Sequence, residues 1–140
     1  MKTETFVAPL DELAKISKLI LDFAPEHRKF VLIGDLGAGK TTLVKSIAKL
    51  LGVTQQVTSP TYSLVNEYDG SDTLVRHLDL YRLNNLEEAI ELNIEEYLDD
   101  NNYCFIEWPE LVEKLFPDKI VYIRIHVIDY LTRKYILQTL

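Results

Sequence analysis

The 140-residue chain holds one cysteine, one methionine, one tryptophan, five glycines and five prolines. A single thiol, Cys104, excludes an internal disulfide and a multi-thiolate metal site; beside Phe105 and Ile106 it reads as a packed core residue. No apolar run approaches the ~18 residues of a membrane span, and residues 1–9 lack the basic and apolar regions of a secretory signal, so a cytoplasmic chain with no membrane association is expected. Positive charge is scarce: 15 Lys and Arg stand against 22 Asp and Glu, a formal net charge of −7. Broad, independent nucleic-acid binding, which rests on cations neutralising phosphates, is therefore not expected. The scarcity is also local, since no Lys or Arg lies between Arg82 and Lys114, where Glu87, Glu88, Glu91, Glu95, Glu96, Asp99 and Asp100 accumulate. Such a run reads first as a solvated helix face. There is no internal repeat, low-complexity tract or linker rich in Pro, Gly or Ser. With 47% hydrophobic residues, residues 1–140 are sized for one compact domain.

What glycine there is clusters. Three of the five fall in Gly34-Asp35-Leu36-Gly37-Ala38-Gly39-Lys40-Thr41, which completes the pattern G-x-x-x-x-G-K-[ST] of a phosphate-binding loop. Small residues let successive backbone N–H groups surround an anion, and the following helix adds the positive end of its dipole. Lys40 is then placed to reach the β and γ phosphates, and the Thr41 hydroxyl to ligate the Mg²⁺ that neutralises them. The flanks agree with the motif. Phe30-Val31-Leu32-Ile33 reads as a buried strand, and Leu43, Val44, Ile47, Leu50 and Leu51 recur at helical spacing before Gly52, predicting a helix over residues 40–51.

The rest of the chain alternates strands and helices. Residues 3–7 read as an edge strand and 11–24 as a helix stopped by Pro25. Residues 62–68 and 73–81 are extended segments around the turn Asp69-Gly70-Ser71-Asp72. Leu86, Ile90, Ile94, Tyr97 and Leu98 form a helical stripe interrupted near Asn93. Residues 103–106 form a further strand, 109–116 a short helix opened by Pro109, and 119–128 and 134–140 two terminal strands. The fold class expected is α/β: a single-domain P-loop nucleotide-binding fold, its mixed parallel and antiparallel sheet flanked by helices.

A magnesium nucleotide needs carboxylates near its γ phosphate, and in open α/β sheets these lie at the C-terminal ends of strands. Asp79, after Leu74–Leu78, and Glu107, after Tyr103–Ile106, stand behind apolar strand patterns, unlike the seven acids clustered at 87–100. Either is suited to holding the metal or to orienting the attacking water. Thr58-Ser59-Pro60-Thr61-Tyr62 occupies the chain position of a nucleotide-sensing switch, and an ordinary turn around Pro60 is the plainer reading. Trp108 is either a core anchor or a contact for a base or partner. His27, His77 and His126 show no metal-ligand spacing, which favours packing or surface roles.

Several segments together resemble one family, the bacterial TsaE (also called YjeE) ATPases of threonylcarbamoyladenosine synthesis on tRNA. They are residues 34–42, the segment 58–62, His77-Leu78-Asp79-Leu80-Tyr81-Arg82-Leu83 and Glu107-Trp108-Pro109-Glu110. The resemblance implies an ATPase, weak alone, that acts with TsaD and its paralogue TsaB. Its turnover would sustain transfer of threonylcarbamoyl to the adenosine beside the anticodon, in tRNAs reading codons that begin with A. It implies tRNA contact only through that complex, and a monomer or weak oligomer alone. By the family pattern, Gly37, Ala38, Gly39, Lys40, Thr41 and Thr42 bind nucleotide, and Thr41 and Glu107 ligate Mg²⁺. Asp79 is the acid important for hydrolysis, and Ser59 and Thr61 are switch hydroxyls. Trp108 lies near the nucleotide or the partner surface, and the adenine lies between Leu10 and Arg133. The short tail after Arg133 departs from the pattern.

Two other functions are compatible with the loop. A small-molecule kinase would use Asp79 as base, but kinase lids need positive charge, which residues 83–113 lack. A nucleotide-gated assembly module would turn over little. ATP is preferred to GTP, because Asp79-Leu80-Tyr81-Arg82 lacks the glycine of a D-x-x-G switch and no N-K-x-D segment occurs.

Overall fold

The computed structural model describes residues 1–58 and 64–139; the segment holding the expected switch hydroxyls Ser59 and Thr61 lies outside them. In chain order the strands are β1 (Lys2–Pro9), β2 (Lys29–Ile33), β3 (Val65–Asp69), β4 (Leu74–Asp79), β5 (Tyr103–Glu107), β6 (Ile120–Asp129) and β7 (Thr132–Thr139). The α-helices are α1 (Leu13–Phe23), α2 (Lys40–Leu50), α3 (Leu86–Glu91) and α4 (Ile94–Asp99). The strands form a seven-stranded sheet in the order β1-β7-β6-β2-β5-β4-β3. Its centre is parallel, with β2 between β5 and β6 and β4 beyond β5, while β1, β3 and β7 add antiparallel edges. This is the mixed sheet expected.

Alternation along the strands divides the core into two layers. On one face Phe30, Leu32 and Phe105 pack against Ile16 and Ile20 of α1 and Leu43, Val44 and Ile47 of α2. On the other, Val31, Leu78, Cys104 and Ile106 meet Ala89 of α3, Ile94 and Leu98 of α4, and Val112. Burial of each such large side chain stabilises by about 1.5 to 3 kcal/mol, so the central strands are the most firmly held part of the molecule. Cys104 is fully buried, and burial pushes its thiol up to about 12, which leaves it unreactive.

Local chemistry sets the element ends. Asn93, at φ 62°, breaks the acidic stripe into α3 and α4, and the Asn85 side chain accepts from the Glu88 N–H to cap α3. Residues Leu10–Glu12 form a 3₁₀ turn instead of opening α1, and the Leu10 N–H, which no helix start could satisfy internally, donates to the Leu131 carbonyl at 2.8 Å. The predicted helix over 109–116 is likewise a 3₁₀ turn, Glu110–Leu115. Its N–H groups bond three residues back, Val112 to the Pro109 carbonyl at 2.9 Å and Phe116 to the Glu113 carbonyl at 3.2 Å.

The acidic run is not solvated throughout. Asp100 accepts from Lys29 at 2.9 Å and from Arg76 at 2.5 Å, and Lys29 is almost wholly buried. Arg76 also pairs with Glu67 and lies over the Tyr97 ring. This network ties α4 to β2 and β4 at the sheet end remote from the glycine-rich loop.

Candidate functional site

Residues 34–39 leave the C-terminal end of β2 and turn into α2, so the loop lies at the carboxyl edge of the parallel sheet. Gly39 has φ 107°, a conformation strained for any residue with a Cβ, and it directly precedes Lys40 at the helix start. Gly34 packs against β6, where a Cβ would come within 3.0 Å of the Ile125 carbonyl oxygen. The Ala38 carbonyl accepts from Arg133 Nε at 3.1 Å, which fastens the loop to β7.

A cavity of about 410 Å³ opens in front of the loop, lined by Leu36, Gly37, Gly39, Lys40, Thr41, Thr42, Asp79, Tyr81, Arg82, Glu107 and Trp108. The sheet brings its two acids together. Asp79 and Glu107 are register partners at the ends of the parallel pair β4 and β5. By alternation Glu107 shares the face of Phe105, towards α2, and the Thr41 hydroxyl lies 3.3 Å from its Oε2. Its Oε1 is 4.0 Å from Lys40 Nζ, and Lys40 donates to the Gly34 carbonyl at 2.9 Å. Asp79 is half-buried and accepts the Tyr81 N–H at 3.1 Å.

Trp108 is packed within the site itself, against Lys40 and Tyr81. It is half-buried, and its φ of 57° turns the chain sharply after Glu107, a conformation costing about 1 to 2 kcal/mol in a non-glycine residue. The turn lays the indole over Lys40 Nζ, 4.1 Å from the ring centroid, and against Tyr81 at 5.0 Å. Trp108 also borders a second cavity of about 410 Å³ with Gly34, Asp35, Ala38, Arg124 and His126.

Other expected residues are placed differently. Leu10 and Arg133 stand at the β6–β7 side of the loop and border neither cavity. Ser59 and Thr61 are outside the described residues, but both flanks of that segment are tied down. The Thr58 N–H donates to the Tyr68 hydroxyl, and the Leu64 carbonyl accepts from the Asp79 N–H at 2.9 Å. Three residues join the site that the sequence does not single out for it: Tyr81 and Arg82 at the mouth, and His77, whose Nε2 contacts Glu107 Oε2. His77 is legible in principle, because a histidine two positions before a strand-end acid shares its face of the strand.

The donor set suits a magnesium-bound polyphosphate. Backbone N–H groups at a helix start and one buried ammonium match phosphate oxygens, while a hydroxyl and two carboxylates are hard oxygen donors. Among the described residues no three His, Cys, Asp or Glu side chains converge as a metal cage.

The family model for "Threonylcarbamoyl adenosine biosynthesis protein TsaE" matches residues 7–135. The tRNA threonylcarbamoyladenosine biosynthesis protein TsaE of Bacillus subtilis (strain 168) is 38% identical over 109 residues, covering 78% of this chain and 68% of that protein. The protein of the same name from Treponema pallidum (strain Nichols) is 41% identical over 98 residues, 70% of this chain and 72% of its own. The crystal structure of Bacillus subtilus YdiB superimposes with a TM-score of 0.75 at 30% identity, over 97% of this chain and 84% of that one. A family model spanning nearly the whole sequence, relatives of this similarity and a shared sheet lead to one conclusion: the chain belongs to the TsaE family.

Proposed function

We propose that the chain is a magnesium-dependent ATPase whose turnover serves tRNA threonylcarbamoyladenosine biosynthesis, the role for which its family and its relatives are named. The observation that carries the reading is the convergence of Lys40, Thr41, Asp79 and Glu107 on one cavity at the mouth of the phosphate-binding loop.

The loop amides and Lys40 bind and orient the phosphates, with Lys40 released from the Gly34 carbonyl to do so. Thr41 and Glu107 hold Mg²⁺, which when bound neutralises charge on the phosphate oxygens. Asp79, anchored on its own turn through the Tyr81 N–H, orients the attacking water and takes its proton. Trp108 and Tyr81 form an aromatic wall that keeps bulk water from Lys40. Thr42 lines the same cavity, and Ser59 and Thr61 act as switch hydroxyls. Leu10 and Arg133 are assigned to the adenine on the β7 side of the loop, outside the cavity that takes the phosphates, where Arg133 also anchors the loop through the Ala38 carbonyl.

Partners are TsaD and TsaB, with tRNA reached only through them and the chain a monomer or weak oligomer when alone. The exposure of Leu36 and Tyr81 at the cavity mouth, 88% and 67%, supports a protein surface closing over the site. A cytoplasmic location goes with this role. Among the described residues no helix is long and apolar enough to cross a membrane. Comparing ATP turnover with and without TsaB and TsaD tests the proposal: stimulation supports it, whereas phosphate transfer to an added small-molecule acceptor would favour a kinase.

A further inference from the structure

We propose that His77 is a positioning residue of the phosphate site, holding the Glu107 carboxylate against the Thr41 hydroxyl so that the cation ligands are assembled before nucleotide arrives. The inference rests on the magnesium-nucleotide reading above.

His77 is fully buried and Glu107 is 4% exposed. A carboxylate removed from water needs hydrogen-bond donors, and Oε2 has two here, His77 Nε2 and Thr41 Oγ1. Oε1 faces Lys40 at 4.0 Å. Without the imidazole, Lys40 is the strongest attraction left, and a carboxylate drawn to it leaves Thr41 and occupies the cation meant for phosphate. His77 therefore decides how Glu107 divides itself between metal site and lysine.

The other ring nitrogen supports this assignment. His77 Nδ1 is buried and has no hydrogen-bond partner among the described residues. The neutral tautomer with its proton on Nε2 accounts for both atoms: the N–H donates to Glu107, and only a bare lone pair is left unpaired on Nδ1. The ring is thus oriented for Glu107 at the expense of its own second atom. The alternation of β4 fixes it there, since His77 lies beside Phe105 in register and one strand pleat short of Asp79 and Glu107.

The test uses the full chain as His77→Leu, which keeps bulk and removes the donor, and His77→Gln, whose amide N–H restores a donor near the Nε2 position. Binding of a fluorescent ATP analogue is measured in EDTA and across a Mg²⁺ titration. In His77→Leu the Mg²⁺ concentration for half-maximal binding should rise about 10- to 100-fold, the scale for removing a hydrogen-bond partner of a metal-binding side chain. Metal-free affinity should fall by less, under about tenfold, because a Glu107 carboxylate drawn to Lys40 competes with phosphate for a single contact, and His77→Gln should recover most of the Mg²⁺ response. An unchanged Mg²⁺ requirement, or equal impairment of both variants, would overturn the proposal while leaving the nucleotide site intact. A wild-type chain that binds no magnesium nucleotide would refute the site reading itself. Should His77→Leu not fold, ¹⁵N spectra of the wild-type imidazoles decide. An unprotonated Nδ1, and an Nε2 signal that moves on adding Mg²⁺ with the analogue, support the role; a proton on Nδ1 or an unmoved signal contradicts it.

Discussion

The Thr41 hydroxyl and the Glu107 carboxylate, 66 positions apart in sequence, meet at 3.3 Å where α2 begins and β5 ends. That contact joins the phosphate-binding loop to the acidic strand ends, and it makes Glu107 the first residue to alter. Glu107→Gln keeps the shape but weakens the proposed metal ligand. Metal-free nucleotide binding should persist, while Mg²⁺-dependent hydrolysis falls by about 100-fold or more, the range for losing a stabiliser of developing charge. Phosphate release assayed over a Mg²⁺ series checks this, and unchanged hydrolysis would overturn the metal-site assignment.

Lys40→Ala removes the buried ammonium facing the cavity. A charge-assisted contact is worth about 1.5 to 3 kcal/mol, so affinity for ATP should fall by about tenfold to a hundredfold. Calorimetric titration of wild type and variant gives the difference directly.

Asp79→Asn should separate binding from chemistry. The carbonyl of the introduced amide can still accept the Tyr81 N–H, so the turn is retained, but the proposed base for the attacking water is removed. Turnover should drop by about 10² to 10⁴, the usual contribution of a general base, with nucleotide affinity changed little. A parallel loss of affinity would move Asp79 into the binding role.

Stability in acid is tied to the other end of the sheet. Burial works against the Asp100 carboxylate, but hydrogen bonds from Lys29 and Arg76, joined by Asn102, outweigh it and hold Asp100 well below the usual carboxylate range. A lowered folded value means that its stabilisation is complete above the unfolded value of about 4 and is lost as pH falls below it. Asp100→Asn leaves the buried Lys29 without its counter-charge and should cost about 3 kcal/mol at neutral pH. The gap to wild type should narrow below about pH 4. Denaturant unfolding at several pH values measures both; pH curves that stay parallel would contradict the linkage.

A residue remote from the chemistry provides a contrast. At Gly52, φ is 91° and a Cβ would come within 2.8 Å of the Ser71 backbone nitrogen, where the β3–β4 turn docks on the end of α2. Gly52→Ala should destabilise by about 2 kcal/mol or more, through backbone strain and overpacking. Thermal unfolding should show the loss while ATP affinity per folded molecule is unchanged.

The local parts of this account were legible in the residues, and the long-range parts were not. The loop at 34–41, the strand before it and the helix after it follow from spacing between neighbours, as do Asp79 and Glu107 at the ends of apolar runs. Nothing in the periodicity says that β2 lies between β5 and β6, or that β1 pairs with β7, because those choices are made by packing between distant segments. Asp100 reads as one more surface acid until the fold brings it Lys29 and Arg76. His77 reads as a packing residue until the β4–β5 register puts it beside Glu107. The turn at 110–115 reads as helix because its apolar spacing suits either form; what makes it 3₁₀ is the bonding of Val112 and Phe116 three residues back, which apolar spacing does not encode.

Whether residues 34–41 cradle a magnesium triphosphate is seen most directly in a crystal structure with Mg²⁺ and a non-hydrolysable ATP analogue. The phosphates should lie against the loop amides and Lys40, with the ion bound to Thr41 and Glu107. Phosphates lodged away from the loop, or a loop left empty at saturating analogue, would contradict that placement.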